Sequence, residues 1–260
     1  MHVPYNSWLV ALSIAVAVFV SYTAFRLAAR VATRPMRRYW LIGGASAMGI
    51  GIWSTHFIGM LAMSMPMVLR YDIPMTVASL LIAIITSWMA IRIAGTERFG
   101  RGAVALGGLV MGGGIAAMHF LGMAAIDITP AIRYQPALVA ASIIVGIGAS
   151  SGALWLTFQL RGGRTARPLA RLGAAVLMGL AISGTHYIGM AAASFAAHSR
   201  CYGGVALDNA WLAVTIALVT ASLLGFTLMT DMYSSELAAR AGACRAAAAD
   251  QCAAALSGHA

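Results

Sequence analysis

Apolar positions in this chain fall into long runs separated by short polar breaks that carry arginine. Seven runs stand out, at about residues 8–28, 39–65, 75–94, 103–126, 136–160, 172–196 and 211–233. Each run is long enough to cross the ~30 Å hydrocarbon layer of a bilayer as a helix. Of the 260 residues, 9% are charged and 61% hydrophobic, whereas a soluble domain carries about 25% charged residues. The pattern predicts an all-α integral membrane protein with seven transmembrane helices.

Charge in the breaks alternates. The first, third and fifth connections hold Arg26, Arg30, Arg34, Arg37 and Arg38, then Arg92, Arg98 and Arg101, then Arg161, Arg164, Arg167 and Arg171. Arg240 and Arg245 follow the last run, while the remaining connections carry only Arg70, Arg133 and Arg200. Basic loops stay in the cytoplasm, so the N-terminus is expected outside and the C-terminus inside a bacterial inner membrane. The net charge of +10 would point to nucleic acid in a soluble chain; here orientation accounts for it. Met1 to Ser7 has no basic region, which argues against a cleaved signal peptide.

The even runs share a hexapeptide: Thr55-His56-Phe57-Ile58-Gly59-Met60, Met118-His119-Phe120-Leu121-Gly122-Met123 and Thr185-His186-Tyr187-Ile188-Gly189-Met190. The histidines are 63 and 67 residues apart, a spacing that fits two helices plus two loops. Three two-helix repeats follow, at 39–94, 103–160 and 172–233, with one additional N-terminal helix before them. Residues 1–233 then form one membrane domain, and 234–260 a short Ala-rich cytoplasmic tail. The repeat predicts that three motif helices approach a common axis, with their histidines at one depth near the outer surface. Glycines before each motif, Gly49, Gly112 and Gly179 among them, suit close helix packing. The glycine three residues after each histidine would clear room beside the ring.

Residues i and i+4 share a helix face, so every copy sets an imidazole beside a thioether. Methionine selects copper(I) over harder ions, and the central parts of the runs hold no acid to balance a divalent charge. One intramembrane histidine is commonly a helix–helix hydrogen-bond partner, and one methionine a gap filler. Three matched copies favour ligation. The six donors leave open three histidines on one ion, a mixed subset, or two ions. Other positions invite weaker readings: His2 and His198 as loop residues, Met63, Met65 and Met67 as an entry path, and Asp127 as an orienting group. Trp53, Trp88 and Trp211 read as packing or interface residues. Cys201, Cys244 and Cys252 show no metal or disulfide spacing.

At these residues the chain resembles the MHYT family of bacterial membrane sensor domains, and the likeness covers nearly its whole length. The resemblance implies a seven-helix sensory module, of a kind often joined to cyclic-di-GMP-metabolising or other signalling domains. It implies copper held by His56, His119 and His186 with Met60, Met123, Met190 and Met118, and a response to oxygen, carbon monoxide or nitric oxide. Met118 alone keeps the methionine before histidine, with Thr55 and Thr185 at its counterparts, and Tyr187 alone keeps the tyrosine. The resemblance implies a diatomic gas and a cytoplasmic signalling protein as partners; the apolar runs add the lipid bilayer, and a homodimer is a further candidate assembly. No output domain is expected in the 27 residues after Tyr233.

Two further functions compete with a non-enzymatic sensor. A copper carrier or storage protein needs ligands continuing inward, and no such row is read in the inner halves. A redox protein with b-type haem needs paired axial histidines at two depths, whereas the motifs predict one.

Overall fold

The computed structural model of the protein describes residues 4–31, 37–64, 69–94, 100–159, 168–195, 200–201, 206–208, 211–222, 225–226, 229, 233, 236, 240 and 242–243. Six helices are each long and apolar enough to cross a membrane: α1 Ser7–Val31, α2 Arg37–Leu61, α3 Ile73–Ala94, α4 Arg101–Ala124, α5 Pro136–Gln159 and α6 Pro168–Ala192. A shorter apolar helix, α7, covers Trp211–Ser222, the longest described stretch of the seventh run. Most of the tail lies outside the described residues; within it, exposed Glu236 and Arg240 pair at 4.0 Å.

Helix starts follow local chemistry. The Asn6 side-chain oxygen accepts the Trp8 amide at 3.0 Å, and Asp72 accepts the Met75 amide at 2.8 Å, as N-capping side chains do. Proline opens α5 and α6, where its missing N–H costs nothing.

The six long helices close into a ring. Each packs on the next, and α6 packs on α1. Helices α2, α4 and α6 also touch one another inside the ring. Burial agrees, at 72, 56 and 61% of these spans against 28, 33 and 28% for α1, α3 and α5. Exposed Leu81, Ile85, Leu106, Leu109, Ile144 and Leu180 form an apolar exterior suited to lipid. The central helices bury methionine, isoleucine and small residues around the three histidines.

Glycine sets the crossings. A Cβ at Gly49 would strike the backbone of Ile84, one at Gly112 the backbone of Ile147, and one at Gly179 would strike Val18. Each glycine stands seven residues before a motif histidine. Helix α1 therefore stands to α6 as α3 stands to α2 and α5 to α4. The additional N-terminal helix is the piece that closes the ring.

The motif helices end earlier than their apolar runs suggest, because the chain beyond them turns into short extended pairs. Strand β1 (Arg70–Asp72) pairs with β6 (Ala206–Asp208), β2 (Ile128–Thr129) with β5 (Arg200–Cys201), and β3 (Arg133–Tyr134) with β4 (Ala193–Ser194), all antiparallel. Single bridges join Tyr5 to Met63 and Tyr71 to Ile126. These pairings satisfy backbone groups that a membrane-embedded turn would leave bare.

Neighbouring glycines in α4 give a controlled test. Gly112 lies against backbone, whereas a Cβ at Gly113 would meet nothing within 4 Å. Gly112→Ala is expected to lower stability in detergent unfolding by about 1–3 kcal/mol, the usual cost of overpacking. Gly113→Ala should be neutral or stabilising by about 0.5–1 kcal/mol, as alanine replaces glycine in an open helix.

Candidate metal centre

The ring geometry carries the three motif histidines to one point. Each sits five or six residues from the C-terminal end of its helix, on the face turned to the other central helices. His56, His119 and His186 are 1, 1 and 2% exposed. Their Nδ1 atoms form a nearly equilateral triangle, with His56 to His119 at 3.1 Å, His56 to His186 at 3.1 Å and His119 to His186 at 3.3 Å. The rings stand almost perpendicular in every pair.

Hydrogen bonding among the three cannot satisfy this triangle. A neutral imidazole carries its proton on one nitrogen, so each Nδ1 is either a donor or an acceptor. With three atoms of two kinds, at least one edge joins two lone pairs or two N–H groups. Nor is there compensation at the far side of the rings, because all three Nε2 atoms are buried without a hydrogen-bond partner among the described groups. A cation at the centre removes the conflict, since all three Nδ1 atoms can then present lone pairs. The centre of such a triangle lies about 1.8 Å from each nitrogen, close to the ~2.0 Å of a metal–imidazole bond. The residues fit a metal ion, as their mutual reach indicates.

The motif glycine does clear room for an imidazole, but the ring is a neighbour's. A Cβ at Gly59 would collide with Nε2 of His186, one at Gly122 with Nε2 of His56, and one at Gly189 with Nε2 of His119. Each motif thus supplies one imidazole and the seat for another, and the seats run cyclically around the axis. The His-x2-Gly spacing is a contact between helices.

A second shared device holds the rings from the other side. The aromatic residue after each histidine packs on that histidine, at 4.7 Å for Phe57, 4.9 Å for Phe120 and 4.7 Å for Tyr187. Each is met in turn by a tyrosine from the segment leading into α3, α5 or α1: Tyr71 on Phe57 at 5.5 Å, Tyr134 on Phe120 at 5.6 Å and Tyr5 on Tyr187 at 6.1 Å. These tyrosines also pair by backbone with Ile126, Ala193 and Met63, each seven residues after a motif histidine. Burial raises the Tyr5 phenol above its ordinary value, with Tyr187 adding to the effect, and burial alone raises Tyr134. Both stay uncharged through the physiological range.

This collar is not apparent from the repeated hexapeptide. Its signal was present as a tyrosine followed by a polar residue just before an apolar run: Tyr5-Asn6, Tyr71-Asp72 and Tyr134-Gln135. Met60, Met123, Met190 and Met118 are all buried, the first three one turn beyond the histidines. Met63 is buried too. Asp127 is exposed in the connection after α4, its amide bonded to the Arg70 carbonyl at 3.2 Å, so it orients no buried ring. Trp53 donates to the Thr76 carbonyl at 3.3 Å and stacks on Phe57, a packing role. His2, His198, Met65, Met67, Cys244 and Cys252 lie outside the described residues.

A membrane bundle of repeated helices around a histidine triad is the class defined so far, and comparison supplies the family. The model of the MHYT "bacterial signalling protein N terminal repeat" matches residues 1–40, 49–107, 112–169 and 179–242, and the chain belongs to that family. The chain is 46% identical over 239 residues to the bifunctional diguanylate cyclase/cyclic di-GMP phosphodiesterase MucR of Pseudomonas aeruginosa, covering 91% of this chain and 35% of that protein. It is 43% identical over 190 residues to the cyclic di-GMP phosphodiesterase NbdA of the same organism, covering 72% and 24%. It is 36% identical over 199 residues to the signalling protein YkoW of Bacillus subtilis, covering 75% and 25%. The chain thus spans about a third or less of the curated relatives it matches. No solved structure matches it.

The cyclic seating is open to a double-mutant test. Gly122→Ala should cost about 1–3 kcal/mol by overpacking. Combined with His56→Ala, whose ring occupies that seat, the cost should be less than additive by about 0.5–3 kcal/mol. Combined with His119→Ala, which leaves the His56 ring in that seat, the departure from additivity should be smaller. Unfolding midpoints in detergent separate the cases.

Proposed function

We propose that this membrane signalling protein is a copper-dependent sensor of oxygen, carbon monoxide, nitric oxide or redox state. His56, His119 and His186 hold copper(I) through Nδ1, with Met60, Met123, Met190 and Met118 as the thioether donors available around it. The observation that carries the reading is the Nδ1 triangle, a donor set without internal satisfaction in a site that excludes water. The choice of copper rests on the donors: neutral nitrogen and sulfur suit a soft monovalent ion. No Asp or Glu lies within α1 to α6 to offset a second charge. Copper(I) held by these histidines would supply the binding chemistry for a diatomic ligand.

The chain's own residues provide the response. Each imidazole is held between a glycine of one neighbour and an aromatic ring of its own helix, so a shift of one ring moves at least two helices. A ligand that favours one of two packings of α2, α4 and α6 shifts their populations. The inner ends of these helices, with their arginines, would carry the shift to a cytoplasmic output. The names of the relatives MucR and NbdA point to cyclic-di-GMP turnover as that output. The arginine bias supports an N-terminus outside and the motifs near the outer surface.

Elemental analysis of purified protein should find copper, with the triad's share lost in His119→Ala. Carbon monoxide added under reducing conditions should give an infrared stretch of a copper(I) carbonyl that His119→Ala abolishes. Protein without copper, or copper and carbonyl signals unchanged in the variant, would overturn the reading. For orientation, a single cysteine at position 3 in a cysteine-free background should react with an impermeant maleimide on intact cells. One at position 35 should not.

A further inference from the structure

A second set of soft donors repeats in the inner halves of the central helices, in register with the histidines. Met48, Met111 and Met178 each stand eight residues before a motif histidine, and Ile52, Ile115 and Ile182 four before. The repeat unit is Met-x3-Ile-x3-His-x3-Met. These are soft donor atoms in the inner halves, one layer of methionine rather than a continuous row of ligands.

All three methionines are buried, at 1, 3 and 0% exposure. Their direction follows from their neighbours. Gly49, Gly112 and Gly179, one residue on, abut α3, α5 and α1. Gly51 and Gly114, three residues on, abut Val20 of α1 and Thr86 of α3 on the other flank. At 100° per residue the methionine falls on the arc between these flanks, the arc turned to the other two central helices. The three positions therefore ring the same axis as the triad, about 12 Å further along it at 1.5 Å per residue.

Among the described residues, buried hydroxyls and no acid stand at this level of the bundle. The Ser150 hydroxyl of α5 donates to the Met178 sulfur at 3.7 Å. Its counterparts in α1 and α3, Ser21 and Ser87, are likewise fully buried, and the Ser87 hydroxyl has no partner among the described groups. Between the two levels, Ser54, Thr55 and Ser183 also bury hydroxyls without partners. Bare hydroxyls in a membrane interior are costly, and an apolar core would need only leucine at the methionine positions.

We propose that Met48, Met111 and Met178 form a second, all-thioether site for one soft monovalent cation of the copper(I) class. Thioethers are soft and neutral, so the site accepts such an ion and rejects zinc or calcium. The isoleucine layer separates it from the histidines. This site goes beyond the triad reading and stands or falls without it.

Titration of the purified full chain with silver(I), a redox-inert ion of the same preference, tests the proposal. Two equivalents should bind. Met111→Leu, which conserves volume, should remove one and leave another that His119→Ala removes. In wild-type protein carrying methyl-labelled methionine, the second equivalent should shift the Met48, Met111 and Met178 resonances together. One equivalent lost only in His119→Ala would sink this site and leave the triad reading intact; one lost only in Met111→Leu would do the reverse. Two equivalents retained by a Met48→Leu, Met111→Leu, Met178→Leu triple variant, or unshifted methyl resonances at saturation, would also overturn it.

Discussion

Three imidazole nitrogens facing one another at hydrogen-bond distance, in a membrane interior closed to water, are the constraint around which this bundle is built. Their mutual contacts cannot all be favourable, and in a low dielectric an unsatisfied polar group is expensive. The fold nevertheless commits much of its design to keeping them together. The most buried helices carry them, glycine is placed where any Cβ would dislodge a ring, and an aromatic collar presses from the far side. Such an arrangement makes physical sense when a cation completes it.

The same contacts explain how a small event at the centre reaches the periphery. Each histidine is seated by the next central helix, and its aromatic neighbour is capped by a tyrosine that begins an outer helix. A displaced ring therefore acts on a central helix, on an outer helix and on the extended pairs joining them. Packed interfaces of this kind switch between arrangements more readily than they deform. The glycine crossings at Gly49, Gly112 and Gly179 lie nearly two turns from the histidines. At that level a change in helix packing would pass toward the arginine-bearing ends.

Much of this was legible in the sequence, and what was missed has a physical pattern. Apolar runs gave the spanning helices because lipid demands length and hydrophobicity, and the repeated hexapeptide gave the convergence of His56, His119 and His186 because equal spacing on alternate helices implies equal depth. What belongs to contacts between repeats was harder to read. Gly59 serves His186, and Gly122 serves His56, and no local pattern shows which neighbour a glycine faces. The collar tyrosines lie 14 residues from two of the rings they cover and 182 from the third, and each pairs by backbone with a residue of another repeat 55 to 59 positions away. Met48, Met111 and Met178 were passed over because methionine reads as filler until its register with histidine is noticed. The place of α1 also needed the structure, since only ring closure shows that it pairs with α6 as α3 pairs with α2.

Membership of a signalling family and a buried nitrogen triad join in one physical claim: these three side chains grip a single soft ion together. X-ray absorption at the copper edge of the reduced, copper-loaded protein tests that claim most directly. The account predicts a shell of imidazole nitrogens at about 2.0 Å, with the multiple scattering of several histidine rings, that shrinks when any one of the three is replaced. A shell of sulfur alone, or one indifferent to His56, His119 and His186, would contradict it.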